Sequence, residues 1–149
     1  MNMIVVGVDG SRGSEAALRF AAEEAALRGA ALEIVSVYHV PTAVYAGGFM
    51  PSVDVITALR EASEEIAERC AAEVEAEHPE VKVGYCAHEG QPAQVLLQES
   101  EDANLLVVGS RGLGGFGRLL LGSVSHQVAQ HAACPVVIVH NTPEDGGES

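Results

Sequence analysis

Two spacings of apolar residues alternate along the chain. Five short runs have the length and β-branched content of strands: Met3 to Asp9 (MIVVGVD), Ala31 to Val40 (ALEIVSVYHV), Val81 to Ala87, Leu105 to Val108, and Val136 to Val139. The first and fourth are almost unbroken by polar residues, as parallel strands covered on both faces are. Between the runs, apolar residues recur every three or four positions, the period of a helix with one buried stripe.

Four helices are predicted from that second spacing. Gly10-Ser11-Arg12-Gly13-Ser14 turns into the first, with Ser11 or Ser14 able to cap it. Leu18, Ala21, Ala22 and Ala25 form its inward stripe, and Gly29 stops it. The second runs from Val53 to His78, with Leu59, Ala62, Ile66, Cys70 and Val74 inward and a solvated face of Arg60, Glu61, Glu64, Glu65, Glu68 and Arg69. Pro92 opens the third, which reaches about Asp102. The fourth spans Ser123 to about Ala133, with Val124, Val128, Ala129 and Ala132 inward. Lys82, near the start of the third strand, suits a sheet edge. The loop from Pro41 to Ser52 is long enough to read as a functional lid or a disordered segment. Strands alternating with helices, without an internal repeat, make a single-domain doubly wound α/β fold, a five-stranded parallel sheet with helices on both faces. The domain is expected to fill residues 1–140, and the tail 141–149 (NTPEDGGES) to be disordered. The pattern alone leaves two strand orders open, 3-2-1-4-5 and 2-1-3-4-5.

Candidate chemistry concentrates in Leu105 to Ser125, LLVVGSRGLGGFGRLLLGSVS. The fourth strand runs into a loop holding Gly109, Gly112, Gly114, Gly115 and Gly117, and Gly122-Ser123 then opens the last helix. Glycine lets a backbone approach a ligand closely. Successive N–H groups there and at the helix N-terminus make a cradle for an anion, so strand, glycine loop and helix start suggest phosphate binding. Gly112 to Gly117 also fits G-x-G-x-x-G. That dinucleotide fingerprint belongs after a first strand and needs an acid about 20 residues on, whereas no Asp or Glu occurs between Asp102 and Glu144.

The spacing Gly109-x-x-Gly112, nine residues, Gly122-Ser123 resembles the ATP-binding signature of the universal stress protein family. Val8-Asp9-Gly10-Ser11 is similar to that family's first-strand motif. The resemblance covers Met3 to His140 and implies a Rossmann-like sheet ordered 3-2-1-4-5. It implies that Gly109, Gly112, Gly122 and Ser123 hold the triphosphate and ribose, that Asp9 contacts the nucleoside, and that the Val40 backbone meets the adenine edge. Ser11, Val124 and Ser125 are additional candidate contacts, and Arg111 or Arg118 a charge contact. Mg²⁺ is expected with the ATP. A homodimer through the last strand, Val136 to Val139, is implied too. In that strand order the sheet reverses between strands one and four, where ligands of such folds bind. Asp9 and the glycine loop then face one crevice. An Asp at a strand end also reads as a simple helix cap.

Charge narrows the partners. Twenty-one acids against eight bases give a formal net charge of −13, which argues against nucleic acid or an anionic membrane. The acids lie mostly in predicted helices and the tail, while Gly109 to Ser123 carries none and holds Arg111 and Arg118. With a Debye length of about 8 Å at physiological salt, that local loop decides what an anion meets. Three unpaired cysteines (Cys70, Cys86, Cys134) fit a reducing compartment and read as small buried hydrophobes. No apolar run approaches a membrane span, and MNMIVVGVDG lacks the basic start of a signal peptide, so a cytoplasmic location is expected.

Catalytic signatures do not appear. Lys82 is the one lysine, and neither G-x-x-x-x-G-K-[ST] nor G-x-S-x-G occurs. The six histidines form no H-E-x-x-H, and no metal site is expected. The expected function is nucleotide-dependent signalling, with a slow ATPase or autophosphorylating activity, or binding of another adenine nucleotide such as cyclic AMP, as competitors.

Overall fold

The computed structural model describes residues 2–40, 52–111 and 122–140. Its strands are β1 (Met3–Val8), β2 (Ala31–Tyr38), β3 (Val83–Glu89), β4 (Leu105–Gly109) and β5 (Val136–Val139). Between them lie α1 (Arg12–Arg28), α2 (Val53–Glu77), α3 (Pro92–Glu99) and α4 (Ser123–His131). All strand pairs are parallel and the order is β3-β2-β1-β4-β5, so of the two orders open to the pattern the sheet adopts 3-2-1-4-5.

Period-two alternation along each strand divides the core. Ile4, Val6, Leu32, Ile34, Leu105 and Val107 face α1 and α2. Val5, Val35, Leu106 and Val108 face α3 and α4, against Ala93, Val95, Leu96 and Val128. Each fully buried Val, Leu or Ile contributes about 1.5–3 kcal/mol. Small residues on α1 (Ala17, Ala21, Ala22, Ala25) let that helix lie close over β1 and β4. Ser11 caps α1, and Gly29 closes it in the left-handed region at φ 66°.

The inward faces of α2 and α4 differ from expectation by one residue in the same way. Ala62 is exposed and Ser63 is buried. Ala129 is exposed and Ser125 is buried. A hydrophobicity reading passes over serine, yet a buried hydroxyl costs little once it is bonded. Ser63 Oγ meets Ser36 Oγ at 2.6 Å beneath α2, and Ser125 is held in the cradle described below. The third strand begins at Val83 rather than Val81. Val81 N donates to His78 O at 3.0 Å in the turn after α2, while its side chain still packs in the core. β3 is one of the two edge strands of the sheet, with Lys82 just ahead of it.

Candidate functional site

The crevice lies where the order reverses, at the carboxyl ends of β1 and β4. On the β1 side the chain leaves Val8, passes the half-buried Asp9, and turns at Gly10, whose φ of 83° favours glycine. A closed set of hydrogen bonds fixes the turn. Ser11 N donates to Asp9 Oδ1 at 2.9 Å, Asp9 N to Ser14 Oγ at 3.2 Å, and Ser14 N to Ser11 Oγ at 3.2 Å. Ser14 Oγ donates back to Ser11 O at 3.1 Å. Of the two candidate caps Ser11 is the N-cap, with Ser14 and Asp9 bracing it.

On the β4 side glycine serves chain packing first. A Cβ at Gly109 would lie 2.7 Å from the Gly13 carbonyl oxygen, and one at Gly13 would collide with the Arg111 carbonyl oxygen. The start of α1 and the end of β4 therefore meet backbone to backbone, with no room for a side chain between them. Beyond β4, Ser110 N donates to Val139 O at 2.9 Å. Ser110 O then accepts from Gly122 N at 2.6 Å and from Ser125 Oγ at 2.9 Å. Ser125 Oγ also reaches Gly122 O at 3.1 Å. Through these bonds Ser110 ties the first turn of α4 to the end of β4.

The two helix starts at the crevice differ. α1 is closed by the Ser11 hydroxyl. α4 begins on Gly122, and no side chain caps it among the described residues. A helix start leaves its first N–H groups without intrahelical partners and carries a partial positive charge. Among the described residues, the α4 start thus keeps its first-turn N–H groups without a side-chain cap.

The predicted residues distribute as follows. Val8, Asp9, Gly10 and Ser11 lie along the β1 exit. Gly109, a half-buried Arg111, Gly122 and an exposed Ser123 lie along the other side. Val124 is half-buried and packs against the α3–α4 core, while Ser125 is buried with its hydroxyl held by backbone carbonyls. Val40 is half-buried just past β2. Gly112, Arg118, the segment 41–51 and the tail lie outside the described residues. Sequence reading gave Ser14 only as an alternative cap, assigned Gly13 no role beyond the turn, and passed over Ser110. The repeated Gly-Ser doublet at 10–11 and 13–14, and the serine directly after the β4 glycine, were the available signals.

Burial favours the neutral form of all three thiols. Burial, with Glu73 adding to it, pushes Cys70 to about 11. Burial, with the nearby Glu33 carboxylate adding to it, pushes Cys86 to about 12. Burial raises Cys134 as well.

The sequence profile of the universal stress protein family matches residues 1–140. The chain belongs to that family. A universal stress protein of Mycolicibacterium smegmatis is 41% identical over 141 residues, covering 91% of this chain and 45% of the relative. The chain thus spans about half the length of the curated relatives it matches. Among solved structures, UspA from Lactobacillus plantarum superposes with a TM-score of 0.78 at 21% identity, covering 93% of this chain and 97% of that one. A universal stress protein in complex with cAMP gives 0.72 at 28% identity, covering 95% and 98%. The Archaeoglobus fulgidus protein in complex with dAMP gives 0.66 at 27% identity, covering 93% and 98%. Among the described residues no helix is long and apolar enough to cross a membrane.

Proposed function

We propose that this universal stress protein binds ATP in the β1–β4 crevice and acts as a nucleotide-dependent signalling module. The observation that carries the reading is the contrast between the helix starts. α1 is closed by its own serine, and α4 begins uncapped on Gly122 beside a hydrogen-bonded Ser110. The solved relatives carrying cAMP and dAMP support an adenine nucleotide.

In this reading the phosphates lie over Gly109, Arg111, Gly112, Gly122 and the N–H groups of Ser123 and Val124. Ser125 positions that turn from below. Val8, Asp9, Gly10 and Ser11 face the nucleoside, and the Val40 backbone meets the adenine edge. Mg²⁺ would screen phosphate charge in a chain of net charge −13. A micromolar complex needs about 8 kcal/mol net. Several charge-assisted hydrogen bonds at roughly 1.5–3 kcal/mol each supply that scale. Residues 1–140 form the nucleotide-binding domain, and the protein works in the cytoplasm. β5 is an outer strand of the sheet, and its pairing with a second copy would make the homodimer and cover an edge otherwise open to aggregation.

Native mass spectrometry of freshly purified protein tests this. ATP at one per subunit supports the reading, and bound ADP moves it to a slow ATPase. An empty protein whose melting ignores ATP with Mg²⁺ overturns it. The relative in complex with cAMP makes cyclic AMP the competing ligand, and displacement of bound ATP by cyclic AMP separates the two.

A further inference from the structure

Away from the crevice, at the sheet edge, three chemically mixed side chains converge. Cys86 and His88 are two apart on β3, so both project from one face of the strand. Glu99 is the last residue of α3, the helix that follows β3 and packs on that face. One ligand atom from each, the Cys86 sulfur, a His88 nitrogen and a Glu99 oxygen, lies within 4.8 Å of the other two. His88 Nε2 stands 3.3 Å from Glu99 Oε2. This is the one such group among the described residues.

A fourth group stands beside them. Glu33 on β2 pairs in register with Gly84. A Cβ at Gly84 would lie 2.5 Å from Glu33 Oε1. The missing side chain at Gly84 therefore makes the space in which the Glu33 carboxylate crosses to β3, on the strand face that also carries Cys86 two residues on. Two carboxylates, an imidazole and a thiol, each half-buried, thus lie on one face of this end of the sheet, Glu33 standing beside the three that converge.

We propose that Cys86, His88 and Glu99 form a binding site for a zinc-class divalent cation, with Glu33 as the fourth ligand or as the acceptor for a water in that position. Sulfur, nitrogen and carboxylate oxygen on one cation is the donor set of Zn²⁺, which takes four ligands tetrahedrally at about 2.0–2.3 Å. Ligand atoms around such a centre sit roughly 3.5 Å apart. The His88–Glu99 separation already has that value, and small rotations about the side-chain torsions bring in the thiol. A cluster of hard oxygens alone would suit Mg²⁺ or Ca²⁺, whereas the thiol selects a softer ion. Binding replaces the S–H bond with a sulfur–metal bond and releases the proton to solvent, and the metal keeps its oxidation state. The site is separated from β1 by β2 and shares no residue with the nucleotide crevice.

Cobalt(II) titrated into the full-length, chelator-treated protein without nucleotide tests the proposal. The expected result is one Co²⁺ per chain, with strong visible absorption from a tetrahedral centre and a thiolate-to-cobalt charge-transfer band, both bleached by equimolar Zn²⁺. Cys86→Ser removes the charge-transfer band, and His88→Gln or Glu99→Gln weakens binding by at least about tenfold. A Cys70→Ser, Cys134→Ser double variant, which leaves Cys86 as the sole thiol, keeps the band and makes the test independent of how Cys86→Ser folds. Absence of stoichiometric cobalt in the unmodified chain, or loss of the band in the double variant, overturns the proposal.

Discussion

The crevice between β1 and β4 and the cluster on the β3 edge sit on one sheet but are made of different material. The crevice is backbone: glycines that let two chain segments touch, serine hydroxyls that bond to peptide groups, and an uncapped helix start. The edge cluster is side chain: a thiol, an imidazole and carboxylates brought together from β2, β3 and α3. A backbone site depends on the fold at that point and collapses if a Cβ is inserted. A side-chain site loses function when one functional group is changed, while the fold beneath it persists. Substitutions can therefore separate the two.

The largest effect is expected from Gly109→Val. Its side chain has to displace the Gly13 backbone, which lies where the Cβ would go. Overpacking of this kind costs about 1–3 kcal/mol, and for a chain of this length each kcal/mol lowers Tm by roughly 2–4 °C. Calorimetry should show that loss together with a nucleotide response weakened beyond what the lower Tm explains. If Gly109→Val melts like the parent and binds ATP equally well, the contrast fails. Ser125→Ala is next. It removes the one O–H donor that lies within reach of the Ser110 and Gly122 carbonyls at the start of α4, while leaving Gly122 N bonded to Ser110 O. A loss of about 1 kcal/mol and a several-fold drop in nucleotide affinity are expected by denaturant titration and calorimetry.

Asp9→Asn is gentler still. An amide oxygen can accept the Ser11 N–H, so Tm should move by no more than a degree or two, while affinity for the nucleotide falls if the charge matters to the ligand. Equal affinity would leave Asp9 as a brace of the turn before α1 and not as a ligand contact. The smallest effect is at alkaline pH. Cys70 is held at about 11 in the fold against an ordinary 9.0. The neutral thiol is favoured by folding, so its contribution is complete below pH 9 and declines as pH rises from 9 towards 11, where the unfolded chain ionises first. Denaturant midpoints of the parent should fall faster over that interval than those of Cys70→Ala.

The sheet was legible because parallel strands buried on both faces must be apolar without a break, and Ile4 to Val6 and Leu105 to Val108 are. The strand order was not, since periodicity carries no information on which strands adjoin, and it entered through the family resemblance. The Gly109 and Gly122 positions were read from spacing, but the reason for Gly109 was not. It stands against Gly13, some hundred residues away in sequence, and only the fold brings them together. Serine was the recurring blind spot. Ser63 and Ser125 are polar by composition and buried by structure because each hydroxyl finds a partner that no local pattern announces. The edge cluster was missed for a related reason. Cys86-x-His88 is unremarkable within a strand, and the carboxylates come from a different strand and the following helix.

Ser110 joins the two outermost features of the β4 side. Its amide hydrogen is held by Val139 on β5, and its carbonyl holds Gly122 and Ser125 at the start of α4. A disturbance at the sheet rim and a disturbance in the cradle both act on the same peptide neighbourhood. The exchange rate of that single amide with deuterated solvent is therefore a reporter for the whole corner of the molecule. Slowing on addition of nucleotide and slowing with rising protein concentration would be read out at one residue, without a label and without a partner protein in hand.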